Sequence, residues 1–407
     1  MTNRPRALFP PAGSVPPEGL RRKGGSPRVF QTINGPVFVK RDYFWGKGRG
    51  VYPADAALNA DAHGMSKGVC EAISMLAAAM DFRRTSQTIK RLSRINLCAE
   101  ACRQVMLRQG RGIVEAINDG TLTPSFTPEQ ARIPTSAQTR LYLGVDGVLV
   151  PTVTQSEKAK RRESHGKRRK KRQRAGLGNL KPLPPPRPGS DQRYKEMKLG
   201  YFYDQSKVLR HAFVTSGDHE DFGVLLKEQA GRLGFQRARE RISVFDGAEW
   251  IRWKVYANTP GLTMMLLDFY HLSQHVHATA VACLGETAAA KEWAAARLHE
   301  FKHRGAVEPL GAVEALGKKV RSKAGRESVR RLKNYITERV EMLDYPTARA
   351  RGYDIGSGPT EAMCKNLTLR LKQSGMKWDA PNAAAVMTVI ALFENGQAAA
   401  YWSRTAA

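Results

Sequence analysis

Two aspartates lie inside apolar runs that read as strands, Asp146 in Leu-Gly-Val-Asp-Gly-Val and Asp246 in Ser-Val-Phe-Asp-Gly, and glycine follows each. Glu361 falls near the start of a helical segment, behind Gly356-Ser357-Gly358-Pro359, where proline suits the first turn. Taken singly, each has a plainer reading. Asp-Gly is a strong turn pair, and a first-turn glutamate complements the helix dipole. Brought together, such carboxylates repel one another and want a cation between them. Ligation by oxygen alone, with open positions, suits Mg²⁺ or Mn²⁺ better than zinc. Two such ions, ~3.5–4 Å apart, can activate an attacking oxygen and stabilise a leaving oxygen in an in-line displacement at phosphorus. Asp354 and Asp268 are rival third ligands, and Glu249 is a weaker one.

The elements that must position these groups follow from the sequence pattern. Residues 139–151 form a β-rich run that ends at a proline. Residues 194–203 read as a strand and 208–215 as its hairpin partner across Asp204-Gln-Ser-Lys. An amphipathic helix over 219–233, a short buried strand over 241–247, a helix over 248–256 and a fifth apolar strand over 262–267 come next. Three strands, helix, strand, helix, strand is the order of an RNase H-like core, whose first three strands form an antiparallel meander. Its first and fourth strands are neighbours, so Asp146 and Asp246 are expected at one edge. The expected fold class is α/β: an RNase H-like mixed sheet with a helical insertion, preceded by a small helical, helix-turn-helix-like N-terminal domain. The expected division is a mobile arm over 1–30, a small β-like subdomain over 31–62 and a helical DNA-binding domain over 63–135. A catalytic domain follows over 139–271 plus 350–402, carrying a basic, Pro-rich loop over 155–192, and a helical insertion spans 272–349.

Charge points to a polyanionic partner. The chain has 407 residues, with 66 Lys plus Arg against 37 Asp plus Glu, a formal net charge of +29. Such a field attracts nucleic acid and speeds its encounter. Eleven of the seventeen residues from Lys158 to Arg174 are Lys or Arg, and Pro182, Pro184, Pro185, Pro186 and Pro188 follow. This stretch reads as an exposed, flexible insertion, with Lys167, Arg168 and Arg169 able to neutralise phosphates in a salt-sensitive, sequence-blind way. Nuclear localisation is the competing reading of the tract.

Residues 65–80, 86–92 and 97–107 read as three helices, with Thr85 or Ser86 capping the second and a Ser93-Arg94-Ile95-Asn96 turn before the third. They fit a helix-turn-helix unit or a plain bundle. Arg83, Arg84, Lys90, Arg91, Arg94 and Arg103 favour DNA contact. Near the other end Lys365, Arg370, Lys372, Lys377 and Trp378 follow Glu361 and are expected to grip the DNA backbone, a solvated basic face being the alternative.

The five cysteines are too scattered for a disulfide framework, and Cys98 and Cys102 have no second pair at zinc-like spacing, so a reducing cytoplasm fits. No uninterrupted apolar stretch reaches the ~18 residues of a membrane span. The opening Met-Thr-Asn-Arg-Pro-Arg leads into a Pro-rich stretch without the apolar core of a secretory signal.

Val-Asp-Gly, Phe-Asp-Gly-Ala-Glu-Trp-Ile, Leu-Asp-Phe-Tyr-His-Leu, Ile-Gly-Ser-Gly-Pro-Thr-Glu-Ala-Met-Cys-Lys and Arg370-Leu-Lys-Gln-Ser-Gly-Met-Lys-Trp378 together resemble bacterial insertion-sequence transposases of the Kra type, over roughly residues 30–402. The resemblance implies an acidic metal-binding triad at Asp146, Asp246 and Glu361, with a helical insertion between its second and third members. It implies an Asp-x-x-His element shared with Mutator-like enzymes, matched by Asp268 and His271. His271 could orient a scissile phosphate or shuttle a proton, or simply tie the insertion to the core. The resemblance further implies two Mg²⁺ (or Mn²⁺) ions, cutting and joining of double-stranded DNA at the element's terminal repeats and target, and a bacterial cytoplasmic location beside the nucleoid. Synapsis of two ends asks for a homodimer or higher oligomer. Residues 41–53 depart from the pattern, because relatives often carry a cysteine-paired zinc ribbon there and this chain has no cysteines in it. A nuclease that cuts without joining, or a non-catalytic DNA-binding relic of a transposase, are the alternatives.

Overall fold

A computed structural model of the chain describes residues 17–53, 55, 63–134, 136–185 and 189–403. Its residues cluster into two units, Met1–Leu122 with Pro381–Ala407, and Thr123–Ala380. The first unit corrects the expectation of a small helical N-terminal domain, for a sheet stands before its helices where only a small β-like subdomain over 31–62 was expected. It opens on a three-stranded antiparallel sheet, β1 (Arg21–Thr32), β2 (Gly35–Gly46) and β3 (Arg49–Val51), in the order β1-β2-β3. The arm expected over 1–30 is thus a strand from Arg21 onward, and residues 1–16 lie outside the described set, as do parts of the 31–62 subdomain. Arg41, nearly buried, donates to Asp55 at 2.7 and 2.9 Å and packs its guanidinium 3.9 Å from the Tyr52 ring centroid. One guanidinium nitrogen thus serves both carboxylate oxygens while an aromatic face covers the group, tying β2 to the segment beyond β3.

Three helices follow: α1 (Lys67–Ala79), α2 (Phe82–Ser93) and α3 (Ala99–Asn118). Met65, Val69, Ile73, Ile89, Ile95, Cys102 and Val105 form their common core. Asp81, not Thr85 or Ser86, caps α2, accepting from the amides of Arg83 and Arg84 at 2.9 Å each. Thr85 points inward instead, donating to the Asp81 carbonyl. Arg94 ends α2 in the left-handed region (φ 57°).

The second unit is built on a five-stranded mixed sheet: β4 (Arg140–Pro151), β5 (Tyr194–Asp204), β6 (Arg210–Thr215), β7 (Glu240–Phe245) and β8 (Met264–Leu267), in the order β6-β5-β4-β7-β8. β4, β5 and β6 make the antiparallel meander, and β7 and β8 run parallel to β4. The helix α4 (Gln155–Arg174) follows β4. It corrects the expectation of a flexible loop. Its residues are all at least partly exposed, yet its start is well anchored. Thr154 and Glu157 form a capping box, Asp191 accepts from the amide and hydroxyl of Ser156, and Lys158 pairs with Asp379 at 2.6 Å. Lys171, Arg172 and Arg174 lie in the last turn, where cations complement the dipole. Unbranched Lys and Arg are good helix formers, so like charge leaves this segment unpacked without unwinding it.

Helices α5 (His219–Leu233) and α6 (Glu249–Asn258) flank β7 in sequence. Beyond β8 come α7 (Phe269–Leu284), α8 (Ala288–Arg304), α9 (Val307–Lys319), α10 (Lys323–Thr337) and α11 (Tyr345–Ala350), the helical stretch expected there. Then α12 (Gly358–Leu369) returns to lie on β4. Close approach there requires Gly144, since a Cβ at that position would meet Thr360 Oγ1 at 1.7 Å and its Cβ at 2.8 Å. The last helices, α13 (Ala380–Glu394) and α14 (Ala398–Ser403), belong almost wholly to the first unit, not to the unit that holds α12. Gly110 of α3 lets α13 approach until an added Cβ would sit 2.3 Å from the Ala385 carbonyl oxygen. No helix among the described residues is long and apolar enough to cross a membrane.

Replacing Gly144 with alanine should push α12 off β4 and cost about 1–3 kcal/mol of stability by overpacking. A urea midpoint unchanged from the parent protein would contradict this packing.

Candidate acidic site

The sheet register sets out a row of acids. β4 and β7 pair in parallel through Gly144↔Val244, and β7 and β8 through Phe245↔Leu267. Continued by one or two residues, the same offsets bring Asp146 level with Asp246 and Asp246 level with Asp268. Residues level in parallel register point to the same side of the sheet, and neighbouring strands lie ~4.8 Å apart. Asp146 lies inside β4, and Asp246 and Asp268 stand one residue past the ends of β7 and β8. Each is held by a local turn. Asp146 Oδ1 accepts from the Gly147 amide at 2.7 Å, Asp246 Oδ1 from the Ala248 amide at 2.9 Å, and Asp268 Oδ1 from the Tyr270 amide at 3.0 Å. Gly247 adopts φ +82°, open to glycine without strain, and a Cβ there would meet Leu267 and Arg339. Arg339 donates to the Gly247 carbonyl and Tyr335 to the Asp246 carbonyl, so α10 and the turn after it brace the Asp246 corner.

α12 brings Glu361 to this row. Ser357 stands at its N-cap, but its hydroxyl does not cap the helix. It lies 2.7 Å from Asp268 Oδ2 and 3.1 Å from Glu361 Oε1. One hydroxyl has one proton and can donate to only one of two ionised carboxylates. Asp268 is fully buried, and the Ile355 carbonyl accepts from the Phe269 amide at 3.0 Å, tying the entry of α12 to the start of α7. Donor atoms of Asp268, His271 and Glu361 all lie within 4.8 Å of one another. Asp146 and Asp246 stand outside that set, so the tightest cluster is not the expected triad but Glu361 with the Asp-x-x-His pair. The other rivals drop back: Asp354 pairs with Lys207 at 2.8 Å, and Glu249 is exposed in the first turn of α6.

Asp146 belongs to the same field. Burial, and to a lesser degree the charges of Asp246 and Glu361, push its carboxyl above the ordinary aspartate range, while hydrogen bonds from Cys364 and Gly147 pull the other way. Cys364 is one turn beyond Glu361 on α12, and its thiol lies 3.3 Å from Asp146 Oδ2. Burial and the Asp146 charge raise that thiol far above its usual value, so it stays protonated and donates. Tyr335 is pushed up to about 12, chiefly by burial. Among the described residues no lysine or arginine forms an ion pair with Asp146, Asp246 or Glu361. Uncompensated acids of this kind, with oxygen donors converging, fit divalent cations.

The cationic residues fall into two groups. Arg84, Lys90, Arg91 and Arg94 are exposed on and just after α2, with Arg84 3.6 Å from Asp81. Lys167, Arg168 and Arg169 are exposed on α4, with Lys167 paired to Glu163 at 2.7 Å. Lys365 and Lys372 are exposed as well. Arg370 and Trp378 are not surface groups. Arg370 is 2% and Trp378 8% exposed, the guanidinium stacks 5.6 Å from the indole, and Trp378 Nε1 donates to the Leu371 carbonyl at 3.0 Å. Lys377 pairs with Glu157. These three therefore anchor α4 to the chain beyond α12, through the Trp378 amide and carbonyl bonded to Pro151 and Val153. Sequence reading missed Cys364, Ser357, Tyr335 and Gly144. For the first two, the helical spacing from Glu361 was the available signal.

No protein-family model matches the sequence, and no curated protein matches it. Among solved structures it is similar to the Drosophila P element transposase strand transfer complex, at 11% identity over 82% of this chain and 80% of that one, with a TM-score of 0.28.

The raised Asp146 carboxyl has a thermodynamic consequence. The folded state keeps a proton that the unfolded chain has released, so unfolding free energy falls as pH rises above the ordinary aspartate range. Asp146→Asn should flatten that slope and stabilise the cation-free protein at neutral pH, read by urea midpoints across the range. Mg²⁺ at a hundred times its dissociation constant should stabilise the parent by about 2.7 kcal/mol and the variant by less. Equal slopes, with equal cation effects, would contradict the assigned field.

Proposed function

We propose that this protein is a DNA transposase of RNase H-like fold that cuts and rejoins the ends of an insertion element by two-metal-ion phosphoryl transfer. The observation that carries the reading is the placement of Asp146 inside β4, of Asp246 and Asp268 one residue past the ends of β7 and β8, and of Glu361 in the first turn of α12, which packs on β4. The sheet order β6-β5-β4-β7-β8, an antiparallel meander followed by two parallel strands, supports the RNase H-like assignment. The Kra-type motifs surround these same acids, and the +29 charge suits a polyanionic substrate.

When bound, two divalent ions neutralise the attacking and leaving oxygens of an in-line displacement at phosphorus. The chain's own residues do the rest. Asp146, Asp246 and Glu361 hold the ions. The Cys364 thiol and the Gly147 amide fix the Asp146 carboxylate, and Ser357 fixes Glu361 against the buried Asp268. Tyr335 and Arg339 keep the Asp246 turn in place. With water as nucleophile the product is a nick with a free 3′-hydroxyl, and with that hydroxyl as nucleophile the same site joins one DNA end to another. The exposed cations of α2 and α4 and Lys365 and Lys372 hold the DNA backbone. A homodimer or higher oligomer brings two ends together.

Strand cleavage and strand transfer on DNA carrying the element ends, with Mg²⁺ or Mn²⁺, test this directly. Asp146→Ala, Asp246→Ala and Glu361→Ala should each lose both activities by at least about a thousandfold, a few kcal/mol of transition-state stabilisation, with DNA affinity kept. Full activity in any one removes that residue from the site, and cleavage without joining would reduce the protein to a nuclease. A second measurement concerns the basic helix. Lys167→Ala, Arg168→Ala and Arg169→Ala together should weaken binding to all DNA sequences alike and lower the slope of log affinity against log salt by about 0.9 for each phosphate no longer neutralised. An unchanged slope would take α4 off the DNA.

A further inference from the structure

We propose that Asp268, His271 and Glu361 form a nitrogen-containing cation site of their own, in which the His271 imidazole is a metal ligand. The proposal rests on reading this region as a cation centre but not on any step of DNA chemistry. Three observations carry it. The donor atoms of these residues lie within 4.8 Å of one another. Donor atoms around one divalent ion with bonds of ~2.1 Å lie ~3–4.2 Å apart, so the set must draw together to hold an ion, and the exposed Glu361 is the side chain with room to do so. Asp268, by contrast, is fully buried and pre-set, with Oδ1 on the Tyr270 amide and Oδ2 near Ser357.

The second observation is His271 itself. Its Nδ1 is buried and has no hydrogen-bond partner, and it stands 4.0 Å from Asp268 Oδ2, too far for a hydrogen bond. A buried ring nitrogen without a partner costs free energy unless something fills the gap. A cation between the two does so. The third is the shortage of protons at Ser357, whose single hydroxyl faces both Asp268 and Glu361. A positive charge shared by the two carboxylates relieves that conflict.

Two carboxylates and an imidazole make a mixed set. Carboxylates alone suit Mg²⁺, while an imidazole nitrogen shifts preference toward first-row transition ions. The site is therefore predicted to take Mn²⁺ in preference to Mg²⁺. It shares Glu361 with the Asp146–Asp246 row, so one side chain couples the two positions. His271 then acts through the ion it holds.

Mn²⁺ alone, added below one equivalent to the full chain without DNA, is the probe. Pulsed electron paramagnetic resonance should show modulation from a directly bound ¹⁴N nucleus. The signal should change to the ¹⁵N pattern when histidine is ¹⁵N-labelled, and vanish in His271→Ala while persisting in Asp146→Asn. Asp268→Asn should weaken Mn²⁺ binding by at least about tenfold. If that buried variant fails to fold, as read by a thermal melt in chelator, His271→Ala with the labelling still decides the matter. Bound Mn²⁺ without nitrogen modulation in the parent protein overturns the proposal, and if Asp146→Asn then releases the ion, the row of acids remains a metal centre. Nitrogen modulation that survives His271→Ala assigns the ligand elsewhere and also overturns it. No Mn²⁺ binding at all sinks both this site and the two-ion reading.

Discussion

Like charge held close, with no lysine or arginine among the described residues paired to Asp146, Asp246 or Glu361, is the constraint around which the second unit is organised. Asp146 lies inside β4, Asp246 and Asp268 just past the ends of β7 and β8, and Glu361 approaches Asp268 from α12 across Ser357. Burial has already raised the proton affinity of one of them. The surrounding devices resist the repulsion locally: backbone amides on each aspartate, a thiol on Asp146, a serine between Asp268 and Glu361. Without Gly144 the helix could not come down far enough to impose it. Such a site is costly when empty of cations and relieved when they enter.

The exposed charge has the opposite sign. The net +29 draws polyanions, yet the acidic row would repel a phosphate until cations neutralise it. The exposed cations Lys167, Arg168 and Arg169 stand on α4, apart in sequence from the acids. α4 presents them without a packed face. Its helix is secured at one end, by the Thr154–Glu157 box, Asp191, Asp379 and the Lys377–Glu157 pair, and its cationic remainder stays in solvent.

Much of the sheet was legible because strands buried in a mixed sheet leave long apolar runs with turn residues between them. β4, β5, β6 and the helix over His219–Leu233 follow the sequence pattern almost residue for residue. Errors came where composition misleads. A run of eleven cations reads as loop, although a capping box and an anchored first turn suffice for a helix. The stretch without the relatives' cysteines nonetheless belongs to a paired sheet, with Arg41 of β2 bonded to Asp55. Arg370 and Trp378 read as a basic grip, but cation–π stacking hides them together in the interior. At the site, Asp146, Asp246 and Glu361 stood out because each sits beside glycine or proline in an apolar setting. Asp268 could be named but not ranked, because its level with Asp246 exists only in the β7–β8 register.

Anomalous X-ray scattering from crystals of the full chain soaked in Mn²⁺ addresses the shared claim that these acids meet around cations. The expected map has a strong peak with oxygens of both Asp146 and Asp246 at about 2.0–2.3 Å, near the usual divalent metal–oxygen distance. Peaks confined to other carboxylates, or none beside Asp146 and Asp246 at saturating Mn²⁺, would contradict it.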